Sequence, residues 1–587
     1  MKSNYDKQPF VRISDKNEDC MVGWDEIIAE IHRKLQQCES KCKKIVVDCY
    51  SAVDEHEVMN AFRKGFKNSL IRHTFEVMCS KSYIDSILYK NITYDQLFGY
   101  MSDHDISRFF SFSKNFSYYS GYNTMEYEIY VGAGASHLCP NADVLIYIDM
   151  ARREIRKRFT ENSATNLASN RYMSNIFRKL KVAYFIDWRV LDRYKKTVLK
   201  KCDYIIDANQ MENPKMISRQ LFDESLKITV SKPFRLVPSF ESGISGGQWM
   251  KKNFDLNTES KNYQTCFDCI AEENSLMFAF GDTFFEIPAM DLVFKHPEKL
   301  LGTRVFERFG DEFPIRFNII DTMRGKNMNL EVHPTDDYMK EKFGMKYAQD
   351  ESYYLLDAKD DSAVYLGLNE DVDPETMISD LGDMYSVGKF EIDKYVTRYP
   401  VVKHDHLLIP AGTVHSLGQN CVALEIATSP YIFAFKLWEA NRFTFEYEMY
   451  PLNVKRGIEV IQWDRRELSV QSELINHFET LQREECLHEE RTGLHDFAFI
   501  ETRRHRFKKT VFHRTEGSVN VLNLVSGREV IVESPSGRFE PLIVHYAETF
   551  IIPNCVGEYT IRPYGESEGK YCITIKAFVR PETMPQS

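Results

Sequence analysis

Three short stretches carry residues whose types and spacing suit metal chemistry: Asn329-Leu-Glu331-Val-His333-Pro334, Gln349-Asp-Glu351-Ser-Tyr353 and Pro410-Ala-Gly412-Thr-Val-His415-Ser. On a strand, residues i and i+2 share a face, so Glu331 and His333 project together into whatever that face encloses. Glu351 and His415 are expected from neighbouring strands. The four would offer two imidazole nitrogens and two carboxylates, a donor set suited to a divalent first-row metal. The Pro-Ala-Gly bend before Val414-His415 fits a tight turn that feeds His415 into its strand. Spacing alone leaves a second reading open, since Glu-x-His on a strand also describes a solvated face and a lone His is commonly a hydrogen-bonded structural residue.

The elements that must position these residues change character along the chain. Ile27, Ile28, Ile31 and Leu35 recur at helical spacing. The runs Ile45 to Asp48, Tyr127 to Val131 and Asp143 to Asp149 read as buried strands, separated by charged helical stretches such as Ala151 to Phe159. This alternation predicts an α/β domain with a parallel sheet over residues 1–230. Beyond Lys232 the chain becomes strand-rich, with alternation in Thr283 to Pro288 and one longer helical period from Asp371 to Leu381. A mainly-β domain is therefore expected over 231–460. Residues 461–587 are expected to form a helical connector, from about Arg465 to Thr492, and a smaller β-domain holding Asn520 to Val525 and Ile551 to Pro553. No short fixed-period repeat is present.

The chain has 587 residues, too many for one core, and a formal net charge of −11. With a pI near 5.9, that charge argues against a broad nucleic-acid face, which needs excess Lys and Arg against phosphate. No run of about 18 apolar residues and no signal-peptide core occurs, which predicts a cytoplasmic protein with no membrane partner. The 13 cysteines read as reduced thiols. Cys266-Phe-Asp-Cys269 has no second Cys-x-x-Cys to complete a zinc site, so strand packing is expected there.

The metal-chemistry segments, together with their flanks, resemble class I mannose-6-phosphate isomerases of the cupin superfamily. Pro238 to Gly247, His296 to Gly302, Phe313 to Asp321, Val422 to Ile426 and Ser429 to Glu439 follow the family's segments in order, over roughly 210 residues. The resemblance implies a cupin, or jelly-roll, barrel from about Phe234 to Ala440 and a smaller cupin-like domain at the end. It also implies zinc, or another divalent ion such as manganese or iron, on Glu331, His333, Glu351 and His415. The function it implies is aldose–ketose isomerisation of mannose 6-phosphate and fructose 6-phosphate or a related sugar phosphate, and oligomerisation is compatible with it. Four positions depart from the family: Ser245 stands for Trp, Glu331 for Gln, Gln349 for Lys, and Lys436 for the active-site Arg. Lys436, His404 and His406 are the candidates for proton transfer, and Arg316, Arg324, Lys342, Lys346 and Lys436 for phosphate. The departures keep open a non-catalytic sugar-phosphate-binding or regulatory cupin.

Residues 40 to 230 resemble a uridine-kinase-type nucleoside kinase through Lys44 to Asp48, Ile146 to Glu154 and Phe185 to Arg193. A working phosphate loop needs GxxxxGK[ST], and this chain has Asp48-Cys-Tyr-Ser-Ala-Val-Asp54 there. Gly132-Ala-Gly134 does not replace it. The resemblance thus implies a degenerate kinase-like domain without ATP hydrolysis.

Overall fold

A computed structural model describes residues 3–111, 125–169, 175–387, 389–428, 433–439, 451–493 and 498–581. By its internal contacts the chain forms two compact units. One holds Met1–Pro9, Thr229–Asn274 and His296–Ser587; the other holds Phe10–Ile228 and Ser275–Lys295. The segment Ser275–Lys295 is strand-rich like the residues around it. It groups with the earlier part of the chain because Ser275–Phe280 lies parallel to Val11–Ser14 and antiparallel to Thr283–Pro288.

The α/β unit is built on a seven-stranded sheet. Its order is Met21–Val22, Lys215–Ser218, Tyr204–Asp207, Val144–Asp149, Lys43–Cys49, Tyr127–Gly132 and Ser69–His73. The pairings from Tyr204–Asp207 through to Ser69–His73 are parallel, and the first two are antiparallel. Every residue of Val144–Asp149 is buried, as a strand covered on both faces requires. The helix expected around Ile27 spans Gly23–Leu35 and buries Ile27, Ile31 and Leu35 on one stripe. Asp54 caps the helix Glu55–Gly65, its carboxylate accepting from the backbone N–H of His56 and Glu57, both at 3.1 Å.

The other unit is mainly β and contains two sandwiches. The first pairs a six-stranded sheet, ordered His406–Ile409, Glu351–Ala358, Cys421–Thr428, Ile315–Asp321, Thr265–Cys269 and Ser239–Glu241, with a five-stranded one. That second sheet is ordered Val396–Pro400, Ala363–Leu368, His415–Leu417, Leu330–Val332 and Phe435–Trp438. Tyr353, Leu355 and Ile409 from one sheet pack with Val364, Leu366 and Leu417 from the other. The second sandwich has six strands between Glu479 and Val579 facing four between Val511 and Pro563, closed over Phe507, Leu522, Val532, Phe550 and Ile561. Cys266 and Cys269 are buried in the strand Thr265–Cys269, and all 13 cysteines are free thiols.

The expected helical connector from Arg465 to Thr492 is corrected by the structure. Only Glu467–Glu473 is helical, and the rest forms the hairpin Glu479–Glu484 with Leu487–Arg491. The dense charges of this stretch pair across strands instead of along a helix. Arg491 meets Glu479 at 2.8 Å, and Arg503 and Arg504 of the next strand meet Glu489 and Glu490 at 3.0 and 2.6 Å.

A buried ion cluster ties Tyr5, near the start of the chain, into this β unit. Arg235 Nη1 lies 2.8 Å from Glu548 Oε1, and Tyr5 donates to Asp268 Oδ1 at 2.7 Å. Removing Arg235 strands two carboxylates in a dry interior. Arg235→Ala is therefore expected to destabilise the β unit by about 3–5 kcal/mol, read as a lower urea midpoint at an unchanged slope.

Candidate metal centre

The first sandwich brings the residues of the three sequence segments together between its sheets. Glu331 lies in register with His415 on one neighbouring strand and with Lys436 on the other, so the three side chains share a face. The bend that delivers His415 depends on Gly412, whose φ is +84 and where a Cβ would come within 2.5 Å of Gln462 Cγ. Its N–H donates to the carbonyl of His333 at 2.8 Å, which ties the turn to the strand of the other imidazole. Glu331, His333 and His415 each present a ligand atom within 4.8 Å of the others.

Glu351 reaches in from the opposite sheet and spans the two imidazoles. Its Oε2 is 3.0 Å from His333 Nε2 and its Oε1 is 3.1 Å from His415 Nε2. Glu331 Oε1 stands 3.8 Å from His415 Nε2. The Nδ1 atoms are committed elsewhere, that of His333 to the carbonyl of Phe433 at 3.1 Å and that of His415 to the carbonyl of Thr413 at 2.9 Å. If each Nδ1 carries the proton, both Nε2 lone pairs face a carboxylate. That arrangement is repulsive unless a cation, either a proton or a metal ion, lies between them. Both Nε2 atoms are sealed from solvent without a hydrogen bond of good geometry. Burial lowers the pKa of His333, but the charge of Glu351 outweighs it and raises the ring to about 9. Two imidazoles and two carboxylates with carbonyl-fixed tautomers fit a divalent ion.

Polar groups surround this centre on the inner faces. Gln349 donates from Nε2 to Glu351 Oε2 at 2.8 Å and orients the bridging carboxylate. Lys436 Nζ is 2.9 Å from the Asn329 oxygen, with the amide oriented so that its nitrogen donates to Glu439 Oε1, also at 2.9 Å. Glu425 lies in register with Tyr353 and Asn318 and accepts from Asn318 Nδ2 at 2.9 Å. Burial first, and then the charge of Glu351, pushes its pKa up to about 8, while Arg316 opposes the shift. Glu425 and Asn318 carried no assigned role in the sequence. The alternation in Cys421–Thr428 could have found Glu425, because Cys421 and Ala423 on the same face are core residues.

Of the candidates for proton transfer, only Lys436 stands in this site. His406 lies opposite Tyr354 in register, and Tyr354 is one residue out of phase with Glu351 and Tyr353, so His406 belongs to the other face of the sheet. His404 bonds to the Tyr354 hydroxyl at 3.0 Å through Nδ1. Among the candidate phosphate cations, Arg316 lies inside near Glu425, whereas Arg324, Lys342 and Lys346 are exposed and Lys342 pairs with Glu341. Ser429 lies outside the described residues.

His406 is buried, and burial, aided by Arg504, lowers its pKa to about 3. The unfolded chain takes up a proton on His406 near pH 6.5 and the folded chain does not, so stability falls as pH drops from 6.5 towards 3. His406→Leu is expected to flatten that acid limb in unfolding titrations. An unchanged limb would show that other groups set it.

Comparison with known proteins adds three findings. Residues 23–231 match the family described as a domain of unknown function (DUF8485). Over 232 residues, the chain is 25% identical to mannose-6-phosphate isomerase ManA of Bacillus subtilis (strain 168), a match that covers 40% of this chain and 69% of that protein. It is 22% identical to mannose-6-phosphate isomerase of Streptococcus mutans serotype c over 232 residues, 40% of this chain and 68% of that one. The solved mannose 6-phosphate isomerase from Bacillus subtilis superposes with a TM-score of 0.47 at 16% identity, covering 59% of this chain and 99% of its own. Over about 40% of its length, then, this chain is homologous to the mannose-6-phosphate isomerases.

Proposed function

We propose that this protein is a metal-dependent aldose–ketose isomerase that interconverts mannose 6-phosphate and fructose 6-phosphate. The observation that carries the reading is the Glu351 carboxylate held between two tautomer-fixed imidazoles at 3.0 and 3.1 Å. Sequence relatives named as mannose-6-phosphate isomerases support the choice of substrate. His333, His415, Glu351 and Glu331 would hold the ion. When bound, it would polarise the sugar oxygens and stabilise negative charge that develops across C1 and C2. A donor set with two carboxylates suits zinc and also oxygen-preferring manganese or iron(II). The protein is taken to act in the cytoplasm.

The chain's own residues supply the rest. Lys436 Nζ, set beside Glu331 by Asn329 and Glu439, is the cation placed to orient a sugar oxygen or to hand over a proton. Arg316 supplies fixed positive charge inside the sandwich near Glu425. Apolar walls from Leu366, Leu407 and Leu417 keep the interior dry, which strengthens each of these interactions.

A second reading, a sugar-phosphate-binding cupin without turnover, is favoured by one observation: Lys436 is already engaged by Asn329 and Glu439. In the α/β unit, Asp54 places its carboxylate on the helix N-terminus that a phosphate would need, which supports a kinase-like domain without phosphoryl transfer.

Purified protein is expected to convert mannose 6-phosphate to fructose 6-phosphate and to stop when a chelator removes the ion. Binding of fructose 6-phosphate without turnover under any divalent ion would establish the second reading instead. His333→Ala and His415→Ala are each expected to lose the ion from this site by elemental analysis. Lys436→Met should keep the ion and lose about 10²-fold or more in kcat, whereas His404→Gln should leave kcat near that of the unaltered protein.

A further inference from the structure

The α/β unit gathers positive charge at a crevice that its sheet topology creates. Lys43–Cys49 and Val144–Asp149 are parallel neighbours. The chain leaves the first through the helix Glu55–Gly65 towards Ser69–His73 on one side, and the second towards Tyr204–Asp207 on the other. Diverging connections of this kind open a crevice outside the carboxyl ends of the two strands, where open α/β sheets take their ligands. Tyr50 and Ser51 follow the first strand and Arg152 follows the second. The helix Trp188–Val198 joins them, with Trp188 Nε1 donating to Ser51 Oγ at 3.2 Å and the Arg152 guanidinium stacked 3.9 Å from the centre of the Trp188 ring.

Three guanidiniums meet there around one carboxylate. Arg152 Nη2 donates to the Tyr50 hydroxyl at 3.2 Å, that hydroxyl donates to Asp192 Oδ1 at 2.6 Å, and Arg189 Nη2 stands 3.9 Å from Asp192 Oδ2. Arg189 and Arg193 lie four residues apart and share a face of the helix. The charge of Arg152 acts against that of Arg189, and the charge of Arg189 against that of Arg193. Among the described residues Arg189 makes no hydrogen bond; its contacts are Asp192 and the Tyr184 ring at 5.2 Å, and its side chain is 27% exposed, which leaves it reachable from solvent. Arg193 gives Nη2 to the carbonyl of His104 at 2.5 Å, and its Nε, like that of Arg189, has no partner. Other charges do not cancel this group. Lys195, 4.7 Å from the centre of the Tyr50 ring, is taken up by Asp149 and Asp291 at 2.5 and 2.6 Å, and Asp103 and Asp105 near Arg193 are exposed and screened by solvent. Three guanidiniums against Asp192 leave a surplus of positive charge, and like charges held together at a half-buried site cost stability until an anion joins them.

We propose that the α/β unit binds the phosphoryl group of a small phosphorylated molecule in this crevice, on Arg152, Arg189 and Arg193. A phosphate monoester carries about two negative charges near pH 7 and offers three acceptor oxygens, which matches the surplus, and planar guanidinium forks pair with it two bonds at a time. Backbone donors of the kind a phosphate loop supplies are already taken by the chain's own carboxylates. Asp54 caps its helix, and Asp48 accepts from the N–H of Gly134 and Ser136 at 3.0 and 2.8 Å. Side chains therefore carry this site, and the inference stands apart from the isomerase reading.

Calorimetry on the full chain, with inorganic phosphate, fructose 6-phosphate and adenosine diphosphate as separate probes, is expected to show saturable binding. Arg189→Gln and Arg193→Gln should each weaken the binding of at least one probe by about 10- to 100-fold, the loss of charge-assisted hydrogen bonds, and the probe affected identifies the source of the phosphoryl group. Arg189→Lys, which keeps the charge without the fork, should fall between. Fructose 6-phosphate held at the metal centre would be indifferent to all three changes. Because each Gln variant relieves repulsion, its melting temperature without ligand should match or exceed that of the unaltered protein. Unchanged affinity for all three probes in both Gln variants, or no binding of any probe, overturns the proposal. A lower melting temperature without ligand in both variants also overturns it, since the guanidiniums would then be serving the fold.

Discussion

A buried carboxylate between two imidazole nitrogens is the constraint on which the first sandwich turns. Backbone carbonyls of Phe433 and Thr413 take up the Nδ1 atoms of His333 and His415, so the opposite nitrogens must face Glu351. Without positive charge at that point, two lone pairs and a carboxylate would be held together in a dry interior at a cost of several kcal/mol. The fold can sustain the arrangement because these side chains come from strands of two facing sheets, each fixed by its ladder. Glu331 and His415 are locked in register on one sheet, and Glu351 is locked against Ile409 and Ala427 on the other.

The same constraint accounts for the polar groups around it. Gln349 orients the bridging carboxylate, and Asn329 and Glu439 hold Lys436 beside Glu331. Burial first, and then the nearby charge of Glu351, favours the protonated form of Glu425. Glu331, Gln349 and Lys436 thus fall in one connected group of side chains. The Glu331 carboxylate adds negative charge that raises the pKa of both His333 and Glu425.

Charge is handled differently in the second sandwich. Its outer hairpin carries Glu and Arg residues that pair across strands, with each other and with Arg503 and Arg504 of the next strand, so a stretch with the composition of a charged helix folds as an edge ribbon. Composition reports that charges will be solvated or paired. It does not report whether the partner lies four residues along or one strand across, since both arrangements satisfy opposite charges. In the α/β unit the relevant signal was local, and the carboxylate of Asp54 meets helix N–H groups within three residues of itself.

The sequence by itself determined what depends on local period and residue type. Buried runs became parallel strands, Glu331 and His333 had to leave their strand together, and the Pro410 to Gly412 turn had to deliver His415 to a strand. Only the tertiary structure decided which faces meet. His404 and His406 precede the same turn and look as available as His415, yet one residue of strand phase carries His406 to the far side of the sheet with Tyr354. Glu425 looked like part of an ordinary strand and lies beside Glu351 and Arg316. The meeting of Arg152 with Arg189 around Tyr50 and Asp192 joins helices whose proximity no spacing in the chain reveals. Strand alternation has a period of two, so a sequence specifies two faces for each strand, but the choice between core and outside is made by the sheet packed against it.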